Sequence, residues 1–375
     1  MRSLKTKKLL IIYNQDFNQD NHSDDTFAGD AARASILGVV SAVTRELSEL
    51  KFSDVTTKPI ATLLELQSLL QKRHFDLVIN LCESINQDST TEVQVVKIIE
   101  QTGIPFTGNS AHTLSSCLNK YHCNELLRRQ QISVPLSILI KRASDLQTLL
   151  AKEKENKVLP FPCIVKPNQE DGSTGIDFNA VVHDTAALKR QVETLLLQGK
   201  HSVIIQKYIN GRELSVAILG RDPKLWAISE IDFKFQNPAL PKILNYFSKW
   251  NQNSDEFYTT ESRQAILSSK LRKAILDTAQ KSAAILGLHS YGRIDLRLDE
   301  HEIPYIIDVN PNCDLDPLAG FAKSMRTKNL PYPQLLQKLL EVALSEHKVL
   351  HAEAAATAAA TVVEIPSLGL LSENK

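Results

Sequence analysis

The sequence lacks a net charge: 43 basic residues balance 43 acidic ones across 375 positions. That balance removes the electrostatic case for a nucleic-acid or membrane-surface partner and favours small molecules. It also lacks a long apolar run. Behind the basic start MRSLKTKK, the stretch Leu9 to Tyr13 is too short for a signal-peptide core or a membrane span, and it reads as a first strand. The five cysteines (Cys82, Cys117, Cys123, Cys163 and Cys313) have no CxxC spacing and follow no export signal, so reduced thiols in a cytoplasmic protein are expected. Cys117, His122 and Cys123 lie close together, but no second ligand pair accompanies them, so packing on a helix is preferred to a metal site. Absent too are a GxGxxG fingerprint, the Gly-Lys-Ser/Thr of a Walker A loop, a GxSxG elbow and internal repeats.

What is present is enough apolar sequence, 43%, for a sizeable core divided among two or three domains. Residues 1–113 alternate short apolar runs (KKLLIIY, FDLVINL) with helical patterns, the order of a Rossmann-like α/β unit with a parallel sheet. Residues 114–200 read as a smaller α+β lobe. Residues 201–346 form a second lobe with the strands VIIQKYI, ELSVAILG, YGRIDLRL and PYIIDVN. Before the last two lies a helix whose Leu271, Ile275, Ala279, Ser282 and Leu286 make one buried stripe. Residues 347–375 are an Ala-rich tail, helix-prone at AEAAATAAAT but without an apolar stripe to dock.

Three segments place charge where a core would not want it. In YGRIDLRLDEHEIPYIIDVNPN, alternation puts Arg293, Asp295 and Arg297 on one face of a strand, and Asp308 and Asn310 on one face of the next. If the faces coincide, two carboxylates and an amide oxygen converge, a donor set suited to Mg2+, with an arginine to stabilise negative charge. A solvated face with Arg–Asp cross-strand pairs would give the same pattern. In FPCIVKPNQEDGSTGI an apolar run presents Lys166 ahead of a loop able to cradle phosphate, or forming a plain turn at Gly172 and Gly175. In VIIQKYINGRELSVAILG, the Asn210–Gly211 link is either a hairpin turn or a connection between lobes where a flat ligand sits beside Glu213.

Taken in order, with Asn119 and Lys120 ahead of them, these motifs resemble the ATP-grasp superfamily and, within it, the D-alanine:D-alanine ligase-like branch, from about Ile104 to Ala343. The resemblance implies ATP held between two α+β lobes behind a Rossmann-like domain. It assigns Lys120, Lys166 and the Ser173 loop to the phosphates, Gln206, Lys207 and Ile209 to the adenine, and Glu213 to the ribose. It assigns Lys249 and Arg293 to the reacting groups, and Asp295, Asp308 and Asn310 to metal, two Mg2+ (or Mn2+) ions. Gln206 and Asp308 stand where relatives often carry glutamate. The Gly-rich N-terminal motif of D-alanine:D-alanine ligases is replaced by YNQDFNQD, and the loop after Asn310 reads PNCDLDPLAG. There Asp314 and Asp316 would repel an incoming carboxylate and attract a cation, or cap the next helix.

The expected activity is an ATP- and Mg2+-dependent carboxylate–amine ligase that forms an amide through an acylphosphate, with small-molecule carboxylate and amine substrates such as amino acids or a small peptide. Alternatives are a small-molecule kinase on the same fold and an inactive nucleotide-binding regulator, against which Arg293 argues. Relatives suggest a homodimer. The Gly172 loop and the polar stretch near Lys249 are the candidate lids.

Overall fold

The computed structural model describes residues 2–15, 35–72, 74–86, 88–170, 172–251 and 253–362. The N-terminal part is a parallel sheet of β1 (Lys8–Asn14), β2 (Asp54–Ile60) and β3 (Leu77–Leu81), in the order β2-β1-β3. Buried on both faces, β1 and β3 read as continuous apolar runs, the usual mark of a parallel strand. Helices Leu63–Lys72 and Glu92–Thr102 cover one face and helix Ile36–Glu49 the other. Most of the YNQDFNQD turn lies outside the described residues.

Two antiparallel sheets follow. The smaller comprises β4 (Ser137–Ile140), β5 (Cys163–Pro167), β6 (Val181–Val182) and β7 (Val203–Lys207), in the order β4-β7-β5-β6, with helices Ala143–Asn156 and Thr185–Leu197 packed against it. The larger has the order β10-β9-β8-β11-β12, from β8 (Glu213–Leu219), β9 (Ala227–Phe233), β10 (Thr260–Gln264), β11 (Tyr291–Leu298) and β12 (Pro304–Asn310). One correction to the sequence reading follows: Val203–Lys207, placed there in the C-terminal lobe, hydrogen-bonds between β4 and β5. An apolar run announces a buried strand, but not its partners. The change of sheet therefore falls in the Tyr208–Arg212 link rather than at residue 200, and Asn210–Gly211 is not a hairpin turn.

The larger sheet has two unlike faces. Leu214, Val216, Ile218, Ile294, Leu296 and Leu298 join the helix Ser269–Leu286 in one core, where the predicted stripe Leu271, Ile275, Ala279, Ser282 and Leu286 is buried. On the other face the strand register aligns Tyr291 with Leu219, Arg293 with Ala217, Asp295 with Ser215 and Arg297 with Glu213. That face is apolar at the Tyr291 end, where it packs with helix Gly320–Arg326 and the start of helix Tyr332–Val362, and charged at the other. The last helix runs through the expected boundary at His347. Arg221 grips it through Glu346 (2.7 Å) and Glu353 (3.7 Å), and residues 363–375 lie outside the description.

All five cysteines are buried as free thiols; Cys117 and Cys123 pack beside Leu127, so they are core residues. No described helix is long and apolar enough to cross a membrane.

Candidate active site

The charged face of the larger sheet meets the smaller sheet in a cleft, and the two lysines at its wall are fixed by backbone. Asn119 caps helix Lys120–Arg129, accepting the His122 N–H (3.0 Å), so Lys120 sits at the helix start. Its own N–H donates to the Asn168 carbonyl (3.0 Å), while the Asn168 side chain accepts from Tyr121 N–H (2.9 Å) and donates to Asn119 (3.1 Å). Asn168 lies two residues beyond Lys166 on β5, so one asparagine pair sets the spacing of both lysines. Lys120 Nζ lies 3.3 Å from Asp308 Oδ1, and Lys166 Nζ donates to the Ile307 carbonyl (3.1 Å). Ile307 is the extra residue of a bulge, where the register slips between Asp295/Asp308 and Leu296/Ile306.

The coincidence of faces that the sequence left open for Arg293, Asp295, Asp308 and Asn310 is present: Arg293 pairs with Asn310 across the strands and Asp295 with Asp308. Arg293 donates Nε and Nη2 to Asp295 at 2.7 and 2.8 Å, and Ser215 Oγ donates to the same carboxylate (2.7 Å). Asn310 Oδ1 accepts the Asn312 N–H (3.2 Å). Two cross-strand carboxylates and one amide oxygen form an all-oxygen set that falls short of six ligands. That suits Mg2+, which keeps water and phosphate oxygens in its shell. No cluster of three or more His, Cys, Asp or Glu among the described residues would hold a metal unaided.

Electrostatics follow from burial and this pairing. Burial drives Lys166 down to about 8, against the pull of Asp308 and with help from Lys120. Lys249, half-buried on the short helix Tyr246–Trp250, is lowered by burial and then by Arg293, against Asp295 and Asp308. Burial by itself would raise Asp308, but Lys120, then Lys166 and Arg293, outweigh it and hold the carboxyl below its usual value. For Arg293 burial is likewise outweighed, by Asp295, and its guanidinium is held firmly charged. Five cations, Lys120, Lys166, Lys249, Arg293 and Arg297, thus face three carboxylates, Asp295, Asp308 and Glu213, with room for the charge of a polyphosphate.

The other predicted residues divide. Ser173, with φ +62°, donates Oγ to the Leu244 carbonyl (3.0 Å), while Trp250 Nε1 donates to Gly172 (2.8 Å), so the two expected lids are joined to each other. Gln206 is buried and donates to Ser137 Oγ (3.1 Å). Lys207 is exposed, with its N–H given to the Leu136 carbonyl, and the Ile209 carbonyl accepts from Gly211. Glu213 is buried on β8, 2.9 Å from Arg297 Nη1. In the loop after β12, Asp314 Oδ1 accepts the Asp316 N–H and Asp316 Oδ1 the Leu318 N–H, both 2.7 Å, so both aspartates shape the turn before helix Gly320–Arg326. Sequence reasoning placed Arg297 on this face but gave it no role, and it missed Asn168 and Ser215. For Arg297 the alternation was the available signal; for Asn168 nothing in the local sequence marks it.

Comparison with known proteins agrees with this architecture. The family model of the D-Ala–D-Ala ligase C-terminus matches residues 126–341. The chain belongs to that family, within the ATP-grasp enzymes, and is an ATP-dependent, ADP-forming ligase of carbon–nitrogen bonds. Among curated relatives, an uncharacterized protein y4sG of Sinorhizobium fredii is 26% identical over 71% of this chain and 74% of its own length. A D-alanine–D-alanine ligase of Methylacidiphilum infernorum is 25% identical over 66% and 73%. The crystal structure of the Bacillus anthracis D-alanine–D-alanine ligase complexed with ATP superposes with a TM-score of 0.69, covering 92% of this chain and 98% of that one at 19% identity, a likeness of fold.

Proposed function

We propose that the protein joins the carboxylate of one small molecule, an amino acid or short peptide, to the amine of another, using Mg2+ and ATP bound between the two antiparallel sheets. The observation that carries this reading is the cross-strand quartet Arg293, Asp295, Asp308 and Asn310, with Lys166 reaching its strand from the smaller sheet and Lys120 from the start of helix Lys120–Arg129. Residues 1–113 would supply part of the substrate side, 114–207 and 213–346 the two ATP lobes on either side of the Tyr208–Arg212 link, and 347–375 an appendage.

In the assigned roles, Lys120 and Lys166 draw the phosphates against β12, with the Ser173 loop folded over them. Gln206, Lys207 and Ile209 border the adenine, with backbone groups as the contacts since the Gln206 side chain is engaged by Ser137. Glu213 accepts from the ribose. Asp295, Asp308 and Asn310 would hold one or two Mg2+ ions, which supply charge neutralisation at the phosphates. Arg293 and Lys249 stabilise charge on the transferring phosphoryl group and the reacting carboxyl group, a task of position and electrostatics that needs no nucleophile from the protein. The substrate carboxylate oxygen attacks the γ-phosphorus and ADP leaves; the amine then attacks the acyl carbon, and phosphate departs with that oxygen. The linked lids exclude water from the acylphosphate.

The amine substrate meets Asp314, held above its usual carboxyl range chiefly by burial, and Asp316 beside it. This acidic loop disfavours a free carboxylate there and so argues against D-alanine as the acceptor. The test is ATP consumption with Mg2+ across pairs of L- and D-amino acids, with mass spectrometry of each active mixture. A condensed product with ADP and phosphate is expected; a phosphorylated product without condensation would replace this reading with a kinase.

A further inference from the structure

Arg297 is the most heavily engaged buried side chain of the cleft outside the roles assigned above. At 4% exposure it donates Nη1 to Glu213 Oε2 (2.9 Å) and the Lys242 carbonyl (2.7 Å), and Nη2 to the Gly211 carbonyl (2.9 Å) and the Tyr208 hydroxyl (3.3 Å). Its guanidinium carbon lies 4.8 Å over the Tyr208 ring. One side chain therefore joins the link between the sheets, the carboxylate that opens β8 and the segment leading into the Lys249 helix. The link has no slack to compensate, because a Cβ on Gly211 would collide with the Leu298 carbonyl oxygen beside Arg297.

The fork geometry has a directional result. Arg297 takes Glu213 Oε2 and leaves Oε1 without a protein partner among the described residues. A carboxylate oxygen held this way, its partner oxygen pinned by a rigid guanidinium, is a fixed acceptor for a hydroxyl donor. Beside the link where a flat base would lie, the ligand class that fits is a ribonucleoside with its 2′- and 3′-hydroxyls.

We propose that Arg297 is the positioning residue for ribose recognition: it aims Glu213 Oε1 at a sugar hydroxyl and so makes the site discriminate ribonucleotides from deoxyribonucleotides. The proposal rests on the reading of Glu213 as the ribose acceptor. Methionine at this position would keep the volume but release the carboxylate, the Gly211 carbonyl and the Lys242 carbonyl together. Lysine would keep the charge without the fork.

The experiment is calorimetric binding of Mg-ATP, Mg-2′-deoxy-ATP and Mg-3′-deoxy-ATP to the full chain and to Arg297→Met, Arg297→Lys and Glu213→Ala. The unaltered protein should prefer ATP over at least one deoxy analogue by roughly 10- to 100-fold, the range of a hydrogen bond to a charged group. Arg297→Met should reduce that preference to less than about threefold by weakening ATP more than the analogue, with Arg297→Lys between. A purely structural arginine would weaken all three nucleotides alike and keep the ratio, which overturns the proposal; should the methionine variant not fold, an undiminished ratio in Arg297→Lys overturns it equally. If Glu213→Ala loses the preference while the Arg297 variants keep it, Arg297 alone is misassigned. If Glu213→Ala keeps it, the ribose reading itself fails.

Discussion

The two faces of the five-stranded sheet are made by the same strands and differ by one residue of alternation. Leu214, Val216, Ile294 and Leu296 face a core covered by a helix; Glu213, Ser215, Arg293 and Asp295 face a cleft where Arg293 pairs with Asp295 and Glu213 with Arg297. Apolar side chains on the first face gain by leaving water, so their worth is stability. Charged groups on the second are buried at a cost that pairing recovers only in part, and such arrangements persist where a ligand uses them. Fold and chemistry are therefore separable by mutation within a single strand.

The sharpest break is at neighbours Arg293 and Ile294. Arg293→Ala should lower turnover by about 10²–10³-fold or more while the protein still unfolds cooperatively. Ile294→Ala, on the fully buried side, should cost about 2–5 kcal/mol of stability, read by denaturant titration, with turnover per folded molecule retained. If both substitutions lowered activity and stability in parallel, the division of the sheet into two roles would fall.

A second test uses protonation. The Lys166 ammonium is drawn down to about 8, so it is charged below that pH and neutral above it. A bound polyphosphate favours the charged form, so ATP affinity should fall as pH rises through about 8, measured by calorimetry. Lys166→Met should bind ATP more weakly at pH 7 and lose that particular pH dependence. An unchanged profile in the variant would remove Lys166 from the phosphate site.

How legible this was in the sequence differs between strand and loop. Period-two alternation sufficed to pair Arg293 with Asp295 on one strand face and Asp308 with Asn310 on the next, but that the two faces coincide is fixed by the β11–β12 register, which the sequence left open. It could not show that β7 crosses into the smaller sheet, since hydrogen-bond partners of a buried apolar strand leave no local trace. Nor could it show that Arg297 holds Glu213, which depends on how β11 aligns with β8. Nothing in SerThrGly-type loop composition revealed that Ser173 and Trp250 tie the two lids together.

The smallest effect concerns the end of the chain. Removing residues 347–375 deletes the contact of His347 with the Gly103 carbonyl and the exposed Arg221–Glu353 pair, so the loss should be no more than about 1 kcal/mol, with turnover intact. A truncated protein that folds but does not turn over would make the tail part of the active site.

The central claim is that phosphate leaves with an oxygen taken from the substrate carboxylate. With a substrate pair from the amino-acid screen, the carboxylate donor is labelled with 18O and the released phosphate is examined by mass spectrometry. One labelled oxygen per phosphate is predicted, because the acylphosphate breaks at its carbon. Unlabelled phosphate accompanying a condensed product would mean that the carboxylate is never phosphorylated, and the roles assigned to Arg293 and the lysines would be wrong.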